Sequence, residues 1–252
     1  MIDTVNELHS DVSIIHGMIC MKKTIANKKI SLRNPYIFVG VCLIFLFCAH
    51  ASAQTTEIGL TKIDASGEII EQLIYDYLWL EENLSIYGDD TTMRYLQGPV
   101  FAENEEERWD PEELSNIKEH GIFMGTNLAD ITDLIGMEET DVLRVIAEDG
   151  FYKEFPYNAV YNPDPRQGAM VLCWWELSDG YVPSFSDGMT LAFFAEEANE
   201  EGISVFGVHD MRELWDEVYW HFFSSGSEQY PTTTGFSIKW VHELQVIEQS
   251  ET

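Results

Sequence analysis

The chain has 252 residues with 44 Asp and Glu against 14 Lys and Arg, a net charge of −30 at pH 7, and 45% of its residues are hydrophobic. That apolar fraction, with seven Trp, is enough for a packed core and excludes a disordered polyanion. The charge excludes nucleic acid and anionic lipid as general partners, because both are bound through basic patches that displace counterions.

At the N-terminus, Lys22, Lys23, Lys28, Lys29 and Arg33 precede an apolar run from Ile37 to Cys48, and Ala51-Ser52-Ala53 follows. A positive region, a short apolar stretch and an A-x-A site are the parts of a secretory signal, and the run is short for a bilayer span. The expectation is a signal peptide over residues 1–53 and a mature chain from Gln54, with no membrane span after cleavage, in a secreted or cell-envelope protein. Translation starting at Met18 or Met21 would give the n-region a more usual length. An uncleaved anchor and a lipid on Cys48 are the rival readings, the second opposed by the bulky Phe47.

Removing residues 1–53 takes away five of the 14 basic residues and three of the 44 acidic ones, leaving nine against 41, a net charge of −32. It also removes three of the four cysteines, so Cys173 has no partner for an internal disulfide and stability must come from packing. About 200 residues without a repeat or a Pro/Gly/Ser linker read as one domain over residues 54–252.

In chain order, Asp110-Pro111-Glu112-Glu113 reads as N-cap, N1 proline and acidic first turn of a short helix that Gly121 stops. Asn127 caps a second helix with Leu128, Ile131, Leu134 and Ile135 on one face and Gly136 at its end. Val142 to Glu148 and Phe151 to Phe155 flank Asp149-Gly150, a dipeptide suited to a type I′ hairpin turn. Met170 to Trp175, Thr190 to Phe194, Ile203 to Val208 and Phe236 to Ile247 are strand candidates rich in aromatic and β-branched residues. Asp210 and Glu213 have capping-box spacing, and Leu214, Trp215, Val218, Tyr219 and Phe222 then follow at helical spacing. The expected class is α+β, with a mostly antiparallel or mixed sheet and a few short helices.

Four residues are candidates for chemistry. Cys173 is a potential soft metal ligand or redox thiol, against the commoner role of a small core residue. His209 and His221, twelve positions apart, could join Cys173 or an acid around a transition metal, although His221 falls near the apolar face of the third helix, as a packed histidine would. Arg166, between prolines in Asn162-Pro163-Asp164-Pro165-Arg166, either presents a fixed guanidinium to an anion or pairs with a neighbouring carboxylate. Glu105-Glu106-Glu107 and Asp89-Asp90 lack the alternating oxygens of a calcium loop and read as solvated acid. Asn83-Leu84-Ser85 is a glycosylation sequon. No G-x-S-x-G, H-E-x-x-H or phosphate-binding loop occurs in the sequence.

The segment Gly125-Thr126-Asn127-Leu128-Ala129-Asp130-Ile131-Thr132-Asp133-Leu134-Ile135-Gly136 resembles the G-x-x-L-x-D-L-L-x-x-x-G helix of the sulfite-oxidase-type molybdopterin-binding domain. The hairpin through Asp149-Gly150 to Pro156, the strand around Met170 to Trp175, and Lys239-Trp240-Val241, which looks like the family's closing K-W-V-x-x-I strand, resemble the same domain. Tyr161 to Gly168, Gln97 to Phe101 and Tyr219-Trp220-His221 are similar to exported proteins of methanogenic archaea that carry it. The resemblance covers most of residues 58 to 247 and implies that family's fold, with a molybdopterin cofactor as the expected group. In the family a cysteine thiolate ahead of the G-x-x-L-x-D-L-L helix binds molybdenum, whereas here Ile86 to Gly125 contains no cysteine. The nine scattered basic residues also make a poor cradle for a phosphate-bearing pterin.

Two functions follow. One is a non-catalytic binding or surface-interaction domain on this scaffold, with an extracellular ligand or protein meeting Trp174 to Phe185 and the loop around Arg166. The alternative is an extracytoplasmic molybdopterin-dependent oxidoreductase with altered ligation at Cys173.

Overall fold

The computed structural model describes residues 55–109 and 115–250; the signal-peptide reading and the helix expected at Asp110 to Glu113 lie outside them, at least in part. The described residues open with β1 (Glu57–Ile63) and β2 (Ile69–Asp76), then α1 (Tyr77–Asn83), β3 (Ile86–Gly88) and β4 (Arg94–Gln97). After the acidic stretch come β5 (Ile117–Gly121), β6 (Phe123–Asn127), α2 (Leu128–Asp133), β7 (Val142–Ala147), β8 (Tyr152–Pro156) and α3 (Tyr157–Tyr161). The second half holds β9 (Ala169–Glu176), β10 (Gly180–Tyr181), β11 (Thr190–Phe194), β12 (Val205–Phe206), α4 (Val208–Leu214), β13 (Phe222–Ser225), β14 (Glu228–Pro231) and β15 (Val241–Ile247). The domain is α+β with strand predominating.

Five strands form the first sheet in the order β2-β1-β15-β7-β8, all antiparallel except β1 with β15. The first and last strands of the domain therefore lie side by side, Gly59 opposite Glu243 and Leu60 opposite Leu244. Alternation sets the faces: Leu143, Val145 and Ala147 of β7 point inward and are buried. The outer face is a polar ladder in which Arg144 donates to Glu154 and Gln245, and Thr61 donates to Glu243. In the second sheet β9 is central, paired with β6 on one side and with β11 and β10 on the other. All five residues of β11 are buried, which is why that stretch is apolar without alternation. A small sheet β12-β4-β5 and the hairpin β13-β14 complete the described strands.

Between these layers Phe155, Phe193, Phe206, Trp215 and Phe236 form an aromatic cluster with ring centroids about 5–6 Å apart. Phe155, Phe193, Phe206 and Phe236 are among the largest fully buried side chains. Truncating any of them to Ala would cost about 3–5 kcal/mol in lost transfer energy and cavity.

Helix α2 begins where the sequence predicts, with the Asn127 side chain accepting from Ala129 N–H and Gly136 at φ 70° just past its end. Several expectations are corrected. Gly121 ends strand β5, not a helix. The β7-β8 turn is closed by Gly150 N–H to Ala147 O with only Gly150 at positive φ, whereas type I′ needs two such residues. Helix α4 starts at Val208 rather than after Asp210, and Asp210 is its third residue, whose carboxylate turns back to the Gly207 N–H at 3.0 Å. It stops at Leu214, because Trp215 turns into the core and bonds Gln167 through its indole N–H, leaving Val218 exposed. The strand expected over Ile203 to Val208 shrinks to two residues, and that over Phe236 to Ile247 starts only at Val241.

Candidate functional site

Cys173 lies at the centre of β9, between Gly125 of β6 and Thr190 of β11, and is fully buried. Its Sγ has one weak partner, the Val171 carbonyl at 3.5 Å. A Cβ at Gly125 would come within 2.7 Å of the Cys173 Cα, so the strands meet with no room for a ligand between them. Burial pushes the thiol far above its ordinary range, opposed only in part by the Arg94 guanidinium nearby. The thiolate that binds metal or attacks disulfides is therefore suppressed.

The two histidines are engaged elsewhere. His209 on α4 sets its Nδ1 3.0 Å from the Trp109 carbonyl. His221 accepts at Nδ1 from the Lys153 ammonium at 2.7 Å, which places its proton on Nε2, the side lying against Gly235. Among the described residues no three His, Cys, Asp or Glu side chains stand close enough to hold a metal ion. The set Cys173, His209 and His221 is thus not assembled, since β9, α4 and the loop before β13 aim them at different partners.

Arg166 sits in the loop between α3 and β9, where the sequence left anion binding and carboxylate pairing open. Its Nε donates to Asp164 at 3.1 Å and its Nη1 to Asp210 at 3.3 Å. Asp164 also accepts from the Arg166 backbone, which folds the loop onto itself. Burial holds Asp210 above the usual carboxylate range, with the Gly207 N–H and then Arg166 opposing it. The guanidinium thus ties this loop to the start of α4, and an anion would have to displace two carboxylates.

A cluster that the sequence did not suggest lies where β5 meets the segment before β15. His120 Nε2 is hydrogen-bonded to Ser237 Oγ, Lys239 pairs with Asp187 at 2.6 Å, and the Trp240 indole donates to Ser186 O. Trp240 has φ 51°, unusual for a bulky residue, and is held there by its N–H on Asp187 O and its carbonyl under Glu148 N–H. His120 titrates down near 4, through burial first and Lys239 second, with Asp187 opposing. Its Nδ1 is buried without a partner. A stranded lone pair costs less than a stranded N–H, so the proton sits on Nε2 and is donated to Ser237. Ser237 is then an acceptor, and the pair is not arranged as base and nucleophile. Ser237 and Lys239 are 117 and 119 positions from His120, a separation that no local pattern bridges.

The surface expected at Trp174 to Phe185 is divided: Trp174, Val182 and Phe185 are buried, while Leu177, Ser178, Asp179 and Tyr181 around the hairpin tip, with Pro183 and Ser184 after it, are exposed. Tyr181 is held by its hydroxyl on Glu81 and by Tyr77. The more exposed apolar surface is the outer edge of the first sheet, where Ile69, Ile70 and Ile74 are 56%, 53% and 71% exposed. Beside it lies a trough of about 720 Å³ over Gly59, bordered by Glu57, Gln72, Ile74 and Glu243.

The molybdenum cofactor implied by the family resemblance does not fit the residues present. Cys173, the one cysteine among the described residues, is sealed in a sheet, and Lys62, Arg108, Arg144, Arg166 and Lys239 are each paired with carboxylates. Arg94 sets its Cζ over the Phe194 ring, 3.9 Å from the centroid, with its Nε buried. No protein-family model matches the chain, and no curated protein matches it.

Proposed function

We propose that this chain is an exported binding module built on a sulfite-oxidase-type molybdopterin-binding scaffold, working outside the cytoplasm without molybdenum chemistry. One observation carries the reading: Cys173, the single cysteine left after signal cleavage, is fully buried inside β9 with its ionisation suppressed. A ligand thiolate must be both deprotonated and reachable, and this one is neither. The strongly acidic surface favours partners carrying positive charge and repels anionic ones.

The test is elemental analysis by mass spectrometry, with a pterin fluorescence assay, on mature protein purified from a host that makes the molybdenum cofactor. The expected result is folded protein with neither molybdenum nor pterin. Near-stoichiometric molybdenum would overturn the reading and restore the oxidoreductase.

A further inference from the structure

The first sheet has two edges, and they are built differently. At one end, β8 reads Tyr152-Lys153-Glu154-Phe155-Pro156, so a lysine and a proline protect it, and both edge strands run directly into a helix. At the other end, β2 reads Ile69-Ile70-Glu71-Gln72-Leu73-Ile74-Tyr75-Asp76, eight residues with neither Lys nor Pro. Leu73 and Tyr75 pack on the core, while Ile69, Ile70 and Ile74 stand in solvent. A long edge strand with exposed isoleucines and acidic but no basic residues is a template for another strand, and most of all for a basic one.

The trough next to this edge supplies the selectivity. Ile74 lies opposite Gly59 across β1 and β2, and Gly59 lies opposite Glu243 across β1 and β15. With no side chain at Gly59, a channel runs from the β2 edge over the sheet to the Glu243 carboxylate. Glu243 accepts only from the neutral donors Thr61 and Gln245, and neither it nor Glu57 forms an ion pair among the described residues. An aliphatic stem resting on Ile74 and Gly59 with a cationic head at Glu57 and Glu243 fills this space, which is how lysine and arginine side chains lie on mixed surfaces.

We propose that the edge of β2, unpaired among the described residues, binds an extended segment of another protein as an added strand, with a lysine or arginine of that segment laid in the trough over Gly59. Charge decides the occupant. A second copy would bring another net −32 and a second edge carrying Glu71 and Asp76, whereas a basic strand meets an acidic edge.

The proposal rests on the binding-module reading and is tested separately from it. The probe is a labelled, capped decapeptide of alternating Lys and Val, titrated into the mature protein by fluorescence anisotropy at low and high salt. A Glu-Val peptide and a Lys-Val peptide interrupted by two prolines serve as controls. Only the uninterrupted Lys-Val peptide should bind, binding should weaken with salt, and amide exchange should slow along β2. The double variant Glu57→Gln/Glu243→Gln, checked by circular dichroism, should bind at least tenfold more weakly. Absence of binding at millimolar peptide, unchanged affinity in the double variant, or protection away from β2 would overturn the proposal. Concentration-dependent protection of β2 without peptide would overturn it too, giving the edge to a second copy. A failed peptide in a protein free of molybdenum removes this surface only; molybdenum in the protein removes the binding-module reading itself.

Discussion

The Lys153 ammonium lies 2.7 Å from Nδ1 of His221, a cation donating to an imidazole that the fold keeps neutral. His221 is pushed down to about 4, by burial first and by Lys153 second, and His120 likewise to about 4. In the unfolded chain both titrate near 6.5, so the unfolded state binds protons first as pH falls. The stability from these two residues is complete above about pH 6.5, is lost between there and about pH 4, and changes no further below. After discounting for partial exposure, each contributes roughly 2 kcal/mol. Asp130 and Asp210, raised by burial, act in the opposite sense, so a variant is needed to isolate the imidazole. Urea unfolding at pH 7.5 and 4.5 should show a smaller drop in His221→Gln than in the parent. An equal drop in both would remove His221 from the account.

Gly235 packs flat against that imidazole. A Cβ there would sit 1.8 Å from His221 Nε2 and Cδ2. The ring cannot swing away without leaving Lys153 on one side and the Phe236 ring, 5.7 Å off, on the other. Gly235→Ala should destabilise by about 1–3 kcal/mol through overpacking. At 2–4 °C per kcal/mol for a domain of this size, calorimetry should find a clear fall in Tm. His221→Ala should recover most of the loss, making the pair strongly non-additive. Simple additivity would mean that the clash relaxes elsewhere.

Cys173 should behave as a packing residue. In protein beginning at Gln54, a thiol reagent should leave the native state unlabelled and modify one site once it is unfolded, since the Cys173 thiol is both buried and protonated. Cys173→Ala should cost about 1–2 kcal/mol for a small cavity, and Cys173→Ser somewhat more, because its hydroxyl would find only the Val171 carbonyl. Fast labelling of the native state would mean that β9 opens and would reinstate the thiol as a chemical group.

What the sequence disclosed and what it concealed divide along physical lines. The Asn127 cap, the Gly136 stop, the alternation of β7 and the apolar run of β11 are local signals, and all are realised. The helix through Trp215 was not, because one buried indole bonding Gln167, 48 positions away, outweighs five residues at helical spacing. The parallel pairing of β1 with β15 joins the first and last of the described strands and leaves no periodic trace. The site residues followed the same rule. Cys173 stood out by its chemistry and proved to be core, while His120 gains its environment only from Ser237 and Lys239, distant in sequence.

Arg166 is the candidate whose role a double-mutant cycle can decide. Its guanidinium holds Asp164 within its own loop and Asp210 on α4, and Asp210 also closes the helix start through the Gly207 N–H. Replacing Arg166 by Ala strands a carboxylate that burial already disfavours, which should cost about 1–2 kcal/mol. Asp210→Ala loses both the arginine and the helix start, for about the same or slightly more. If the two residues serve mainly each other, the double variant should lose less than the sum of the singles, with a coupling of about 0.5–1 kcal/mol that shrinks in high salt. Thermal unfolding of the four proteins at low and high salt measures this directly. A coupling near zero would leave the guanidinium unclaimed by α4 and return Arg166 to the candidates for binding an anion.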